Sequence, residues 1–401
     1  MTLRLIAQNT FWLTSAEVII KLIALVFNFI LVRLIPVTGY GDYNLVNAFV
    51  VIFSFLPDLG VNLIAVRDLA ARPKLYSRLI GQVAIINSLF SAVAFLTILF
   101  LFPVYSPNQG LWSLVIIAGL TLIVTSLRTL AKLGFDARQA MHISAVFTII
   151  NAAFSIVGSL VGFKLSGNLI GLFGGNLTAA GLSLILEWGI AFRFFGFPKL
   201  SLPSLRLIRQ GLPLSFAAAA ALISARLDTL IIGRLLTSVA VGWYAAAQTL
   251  IFSAIQLFNV PLMAASFPAL SQAHKSLKAL TLKLTLMILA WSSIFTLLTW
   301  ILAQPIISLL FGASYLPAVP VLKLLALLVP FAAMSALFYK VLIILNRQQL
   351  YFWISSLGIV INLGANLWLI PQLGITGAAI AAVITHLSLF IIYALSVWKY
   401  F

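Results

Sequence analysis

Six charged side chains fall inside long apolar stretches of this chain: Glu17, Lys21, Glu187, Arg226, Asp228 and Lys323. A charge at the centre of a membrane helix costs about 2.5–3.5 kcal/mol on insertion scales, so it must face a wet cavity or a partner. Glu17 and Lys21 are four residues apart, on one helix face, where they can pair. Arg226 and Asp228 are two apart and diverge by about 200° around a helix, so they cannot simply face each other. Three acids therefore balance three bases within the spans. Lys21, Arg226 and Lys323 are the candidates for a cationic cavity that offsets a diphosphate or an acidic sugar. Glu17 and Asp228 are the candidates for carrying a coupling ion, H+ or Na+. The plainer readings are that Lys21 neutralises Glu17, Lys323 snorkels to the outer interface, Asp228 bonds a neighbouring helix and Glu187 serves packing.

The elements that must position these charges are membrane helices. The chain of 401 residues is 63% hydrophobic and 8% charged, where a soluble domain carries about a quarter charged residues. Twelve apolar segments are expected near residues 11–34, 43–65, 79–102, 111–131, 143–163, 169–192, 211–235, 243–267, 280–302, 317–339, 350–370 and 375–398, numbered spans 1 to 12. All should be helices, because a chain in lipid must satisfy its own backbone hydrogen bonds. A β-barrel would show alternating strands of about ten residues instead.

Basic residues orient the chain. The N-terminus, the even-numbered gaps and the C-terminus hold 18 of the 24 Lys and Arg residues, from Arg4 through Arg67, Arg72, Lys74 and Arg78 to Lys399. The odd gaps hold only Arg33, Lys164 and Arg234. That bias places both termini in the cytoplasm and makes the number of spans even. The formal net charge of +17 is thus topogenic, with attraction to anionic membrane lipids. No basic domain with interleaved aromatics points to nucleic acid. There is no Cys, and His142, His274 and His386 lack ligand spacing, so no metal or other cofactor is expected. The first apolar stretch is too long for a signal peptide and reads as span 1. The chain has no Gly-rich phosphate loop for direct ATP use.

The sequence repeats weakly. Arg33-Leu34 and Gly41-Asp42-Tyr43 recur as Arg234-Leu235 and Gly242-Trp243-Tyr244, at a constant offset of 201 residues. In each copy the pattern is expected to join a first span to a second across a short outer loop. Two parallel halves follow: a six-helix lobe over 1–195, a cytoplasmic linker over 196–210 and a second six-helix lobe over 211–401. Arg33 and Arg234 are equivalent outer vestibule candidates, and Arg67 is the inner one. Pro57, Pro261 and Pro330 should bend their spans, with Pro57 and Pro261 in equivalent spans 2 and 8 as expected gates.

The stretch from Val32 to Ala71 carries Gly39-Tyr40-Gly41-Asp42-Tyr43, Asp58-Leu59-Gly60 and Arg67-Asp68. Span 7 opens at Gly211 and Pro213, and the C-terminal part carries Asn362, Asn366, Leu369-Ile370-Pro371 and Gly374-Ile375-Thr376-Gly377-Ala378-Ala379. In their order and spacing these features resemble the Wzx-type oligosaccharide flippases of the multidrug/oligosaccharidyl-lipid/polysaccharide (MOP) exporter superfamily. The resemblance implies an all-α polytopic protein with two pseudo-symmetric lobes around a central cavity, the MATE-like fold. It implies a transporter rather than an enzyme, one that moves a polyprenyl-diphosphate-linked oligosaccharide across the bacterial inner membrane by alternating access. Polysaccharide polymerase machinery would then be a partner. The alternative is a cation-coupled multidrug exporter of the same superfamily. Glu17 in span 1 favours it, whereas the balance of acids and bases within the spans does not.

Overall fold

The computed structural model describes residues 3–106, 108–273 and 276–401, with the side chains of residues 3–7, 260, 261, 263–265, 267, 268 and 348 left aside. His274 and Lys275 lie outside the described residues, as do the side chains of Arg4 and Pro261. Among the described residues every regular element is helical. Twelve helical stretches are long and apolar enough to cross a membrane: Gln8–Leu34, Val37–Ala71, Pro73–Tyr105, Gln109–Ala137, Met141–Ser166, Leu169–Phe195, Leu205–Leu235, Ser238–Asn259, Leu277–Leu310, Ala313–Ile344, Gln349–Leu373 and Ile375–Lys399. Large apolar side chains cover their outer faces, among them Phe100, Ile185, Leu309 and Leu395. Water would not solvate such a surface; acyl chains do.

The spans are longer than the sequence pattern indicates. Span 7 begins at Leu205, inside the expected linker. What remains of that linker is pinned to span 3. The Ser77 hydroxyl donates to the Phe197 carbonyl at 3.0 Å and the Ser201 hydroxyl to the Arg78 carbonyl at 3.0 Å. Span 2 begins at Val37, so Gly39 to Asp42 lie in its first turns and not in a loop. The carbonyl of Pro36 accepts the Tyr40 N–H at 3.0 Å and so starts the helix. Span 8 starts in the equivalent place, where the Thr237 side chain accepts the Ala240 N–H at 3.3 Å.

Among the described residues spans 2, 4 and 10 are discontinuous, span 4 between Trp112–Leu130 and Leu133–Ala137. Span 2 runs as Val37–Val51, Phe55–Asp58 and Val61–Ala71. The second break is carried by Leu59 (φ 44°) and Gly60 (φ 70°), both left-handed; the first, over residues 52–54, lies in the turn before Pro57, where the missing N–H and the ring of a proline disrupt the helix. Span 10 breaks at Leu327, between Val319–Ala326 and Leu328–Ile344. Pro330 follows in the first turn of the second piece, where its missing N–H disrupts least.

The helices gather into two compact units. Unit 1 holds residues up to Phe27 together with Val46–Ile223; unit 2 holds Asn28–Leu45 with Ser224–Phe401. Within unit 1, spans 5 and 6 form a hairpin so close that a Cβ on Gly162 would lie 2.1 Å from the Gly171 carbonyl oxygen. The unit 1 core runs from Leu59 through Ile80 and Ile86 to Leu130 and Leu133. The unit 2 core joins Ile288, Leu337, Phe338, Val341 and Tyr393.

Candidate functional site

Span 7 carries the most elaborate polar cluster of unit 2. Asp228 is buried, and each carboxylate oxygen has a donor: Tyr244 Oη gives to Oδ2 at 2.7 Å and Asn366 Nδ2 to Oδ1 at 2.8 Å. Tyr244 belongs to span 8 and Asn366 to span 11, so one carboxylate ties three helices. Asn366 Nδ2 also donates to the Asn362 carbonyl at 2.9 Å, and Asn362 Nδ2 reaches Thr385 Oγ1 of span 12 at 3.4 Å. Thr385 spends its own proton on the Ala381 carbonyl at 2.8 Å. The side-chain oxygens of Asn362 and Asn366 are buried with no hydrogen-bond donor. A buried acceptor left unpaired costs about 1–3 kcal/mol. Two such oxygens beside a carboxylate fit a small hard cation or a proton, since oxygen ligands suit alkali and alkaline-earth ions. Among the described residues no group of three His, Cys, Asp or Glu gathers as a transition-metal site would require.

Arg226 lies half-buried two residues before Asp228, within electrostatic reach of the Tyr43 hydroxyl at the start of span 2. The other candidate cations of unit 2, Lys323, Arg33 and Arg234, lie elsewhere. Lys323 places its ammonium 4.7 Å from the centroid of Trp300, a half-exposed ring on span 9. The exposed Arg33 donates from Nη2 to the Leu309 carbonyl at 2.8 Å, one residue before span 9 ends. A cation there complements the negative end of the helix dipole. Arg234 is exposed at the end of span 7.

In unit 1, Glu17 is exposed and Lys21 half-exposed. They share a helix face, but among the described residues the ion pairs are Arg67–Asp68, Arg128–Glu187 and Arg206–Asp68, and the expected Glu17–Lys21 pair does not form. Arg67 is not a free cation: Asp68 takes its guanidinium at 2.8 Å, and Gln210 Oε1 accepts from Nη2 at 3.0 Å.

Two features escape the sequence pattern. Arg128 counts there as a loop charge, yet it is buried in span 4 with Glu187 of span 6 at 2.7 Å. Nothing in the spacing of residues 59 apart announces that pair. Asp58 is a further acid that falls even within the expected bounds of span 2, hidden by its place in the Asp58-Leu59-Gly60 motif. A Gly after an in-span acid is the signal that the helix is interrupted there.

The sequence from residue 6 to 274 matches the model of the polysaccharide biosynthesis protein family. The chain belongs to that family. No curated protein matches it closely enough to count as a relative. Among solved structures it is similar to the lipid II flippase MurJ in an inward closed conformation, with a TM-score of 0.81 at 14% identity, covering 96% of this chain and 87% of that one. It is similar to an inward-facing multidrug resistance MATE family transporter of the MOP superfamily, with a TM-score of 0.73 at 13% identity over 95% of this chain and 93% of that one. A MOP superfamily transporter from Pyrococcus furiosus aligns with a TM-score of 0.64 at 13% identity, over 98% and 96% of the two chains. The fold is therefore that of these transporters, helical throughout the described residues, and the protein is a multi-pass membrane protein of the polysaccharide biosynthesis protein family with twelve candidate spans.

Proposed function

We propose that this protein is a secondary transporter that flips a polyprenyl-diphosphate-linked oligosaccharide from the inner to the outer leaflet of the bacterial inner membrane. The moved lipid would feed polysaccharide polymerase machinery during surface polysaccharide assembly. The observation that carries this reading is span 7. It presents a half-buried guanidinium, Arg226, and two residues later a buried carboxylate, Asp228, beside two donor-less amide oxygens. A guanidinium binds a diphosphate through several charge-assisted hydrogen bonds. The Asp228 cluster fits the coupling cation, Na+ or H+, through its carboxylate and the oxygens of Asn362, Asn366 and Thr385. Both sites belong to one helix, so loading one biases the position of the other, which is what coupled transport needs.

Membership in the polysaccharide biosynthesis protein family supports this reading over a cation-coupled drug exporter on the same fold. With both termini in the cytoplasm, Arg67 and its basic neighbours meet the anionic inner leaflet where the lipid diphosphate starts. In unit 1, Lys21, half-exposed in span 1 and without an ion pair among the described residues, is a further candidate for meeting the substrate's negative charge.

Complementation tests the reading. The gene is expressed in a strain lacking its own oligosaccharide flippase, with Arg226→Ala and Lys21→Ala alongside. Restored surface polysaccharide in the wild type, lost in Arg226→Ala, supports the flippase. Failure to restore polysaccharide, together with lowered sensitivity to cationic drugs, establishes the exporter instead.

A further inference from the structure

Unit 1 holds a partly open cavity of about 390 Å3 around the break in span 2, with polar groups set in a largely apolar wall. Irregular backbone is tolerated at membrane depth only where protein buries it or where it lines a wet cavity, and transporters use such interruptions to build binding sites. The break at Leu59 and Gly60 places Asp58 on the cavity wall. Spans 3, 4 and 6 supply the rest, including Asn87, Thr125, Phe173 and Asn176.

The chemistry of the wall defines its guest. Ten of the sixteen lining residues carry an amide, hydroxyl or carboxylate, and none is Lys or Arg. A diphosphate or an acidic sugar is thereby excluded, because nothing there offsets negative charge. Two hydroxyls of span 4 spend their protons on their own helix: Thr121 donates to Ile117 O at 2.9 Å and Thr129 to Ser126 O at 2.7 Å. These two turn lone pairs, not protons, to the cavity, while Ser126 is shared between Ile123 O at 2.9 Å and Ser91 Oγ at 2.6 Å. Asp58 Oδ1 accepts the Asn62 N–H at 2.9 Å, which holds the carboxylate in place with Oδ2 open to a further donor. The fully buried Asn87, with its amide turned so that Nδ2 donates to the Pro57 carbonyl at 3.0 Å, pins the break from the other side. The wall is thus rich in acceptors and wants a guest that donates several hydrogen bonds.

Size separates the candidates. The cavity is more than ten times the ~30 Å3 share of one water molecule, so a bare ion does not fill it. It falls at the small end of the ~300–1,000 Å3 typical of organic ligand sites. Phe173 adds an apolar ring of the kind on which the C–H face of a sugar rests. We propose that this cavity is a saccharide subsite, taking a neutral pyranose unit whose hydroxyls donate to Asp58 and to the amide and hydroxyl oxygens around it. The inference rests on the flippase reading only for the source of that sugar, the head of the transported lipid.

The absence of Cys from the chain supplies the test. Thr125→Cys in reconstituted full-length protein is labelled with a small thiosulfonate reagent in the presence of glucose, galactose or N-acetylglucosamine. At least one sugar should slow labelling several-fold, and adding Asp58→Asn should remove that protection while the labelling rate without sugar persists. Asn176→Ala serves as the second variant if Asp58→Asn fails to fold by size-exclusion profile. Protection by sodium chloride or by tetraphenylphosphonium, and not by sugars, would overturn the proposal in favour of a cation site. Labelling that no probe slows overturns it as well. Complementation reports separately on the flippase reading: a wild type that restores polysaccharide with an Asp58→Asn variant that does too sinks the subsite and leaves the flippase standing.

Discussion

Gly41 and Gly242 face each other across the first turns of spans 2 and 8, 201 residues apart in the sequence and equivalent in its repeat. A Cβ on Gly41 would lie 1.7 Å from the Ser238 carbonyl oxygen, and one on Gly242 would lie 2.5 Å from that of Val37. Val37 and Ser238 are themselves equivalent, so each copy presses its glycine onto the backbone of the other. The Ser238 hydroxyl donates to Asp42 Oδ1 beside the contact. The two glycines are therefore a mutual fit, each leaving room for the backbone of the other helix to approach.

Substituting either glycine should separate the two helices. Overpacking of this kind costs about 1–3 kcal/mol. Gly41→Ala is expected to lower the melting temperature of the detergent-solubilised protein more than Gly242→Ala, because its clash is the tighter. Gly364→Ala, where a methyl meets open space, is the control and should leave it unchanged or slightly raised.

The Arg128–Glu187 pair predicts a non-additive cycle. Removing one partner strands a buried charge and costs about 3–5 kcal/mol, while replacing both with apolar residues is near neutral. Arg128→Met and Glu187→Leu should each destabilise unit 1 severely, and the double variant should recover most of the loss. Equal and additive losses in thermal unfolding would show the pair to be solvated.

Asp228→Asn keeps an acceptor for only one of its two donors, Tyr244 or Asn366, and removes the charge proposed to hold the coupling cation. Transport by this variant should lose its dependence on the Na+ or H+ gradient. Tyr244→Phe removes one donor and should weaken that dependence without abolishing it. A gradient dependence unchanged in Asp228→Asn excludes this cluster as the coupling site.

Lys323 and Arg226 should part company. The Lys323–Trp300 contact is worth about 0.5–1 kcal/mol as a cation–π pair at a half-exposed site. Lys323→Gln and Trp300→Leu are expected to lower stability by similar small amounts and to leave transport intact. Arg226→Gln is expected to stop transport with little effect on stability. Loss of transport in Lys323→Gln would return that lysine to the substrate path.

The sequence shows the helical class and the twelve spans because membrane insertion writes them in apolar length and loop charge. Its boundaries are less legible: helices continue into polar residues once partners exist, as span 7 does from Leu205 and span 2 from Val37. Asp228, Asn362 and Asn366 are each visible as polar residues in spans, but their meeting is a matter of helix packing. The same holds for Arg128 and Glu187, 59 residues apart. The Glu17–Lys21 spacing permits a pair that the structure does not make, because proximity on a helix face allows contact without requiring it.

The most direct measurement is flipping itself. The purified protein is reconstituted into vesicles with a fluorescent polyprenyl-diphosphate-linked sugar, a cation gradient is imposed, and the label reachable by an impermeant quencher is followed. Wild type should move the label between leaflets when the gradient is present, and Arg226→Gln should not. Label that stays in its leaflet with wild-type protein, while an organic cation crosses instead, would contradict the flippase reading.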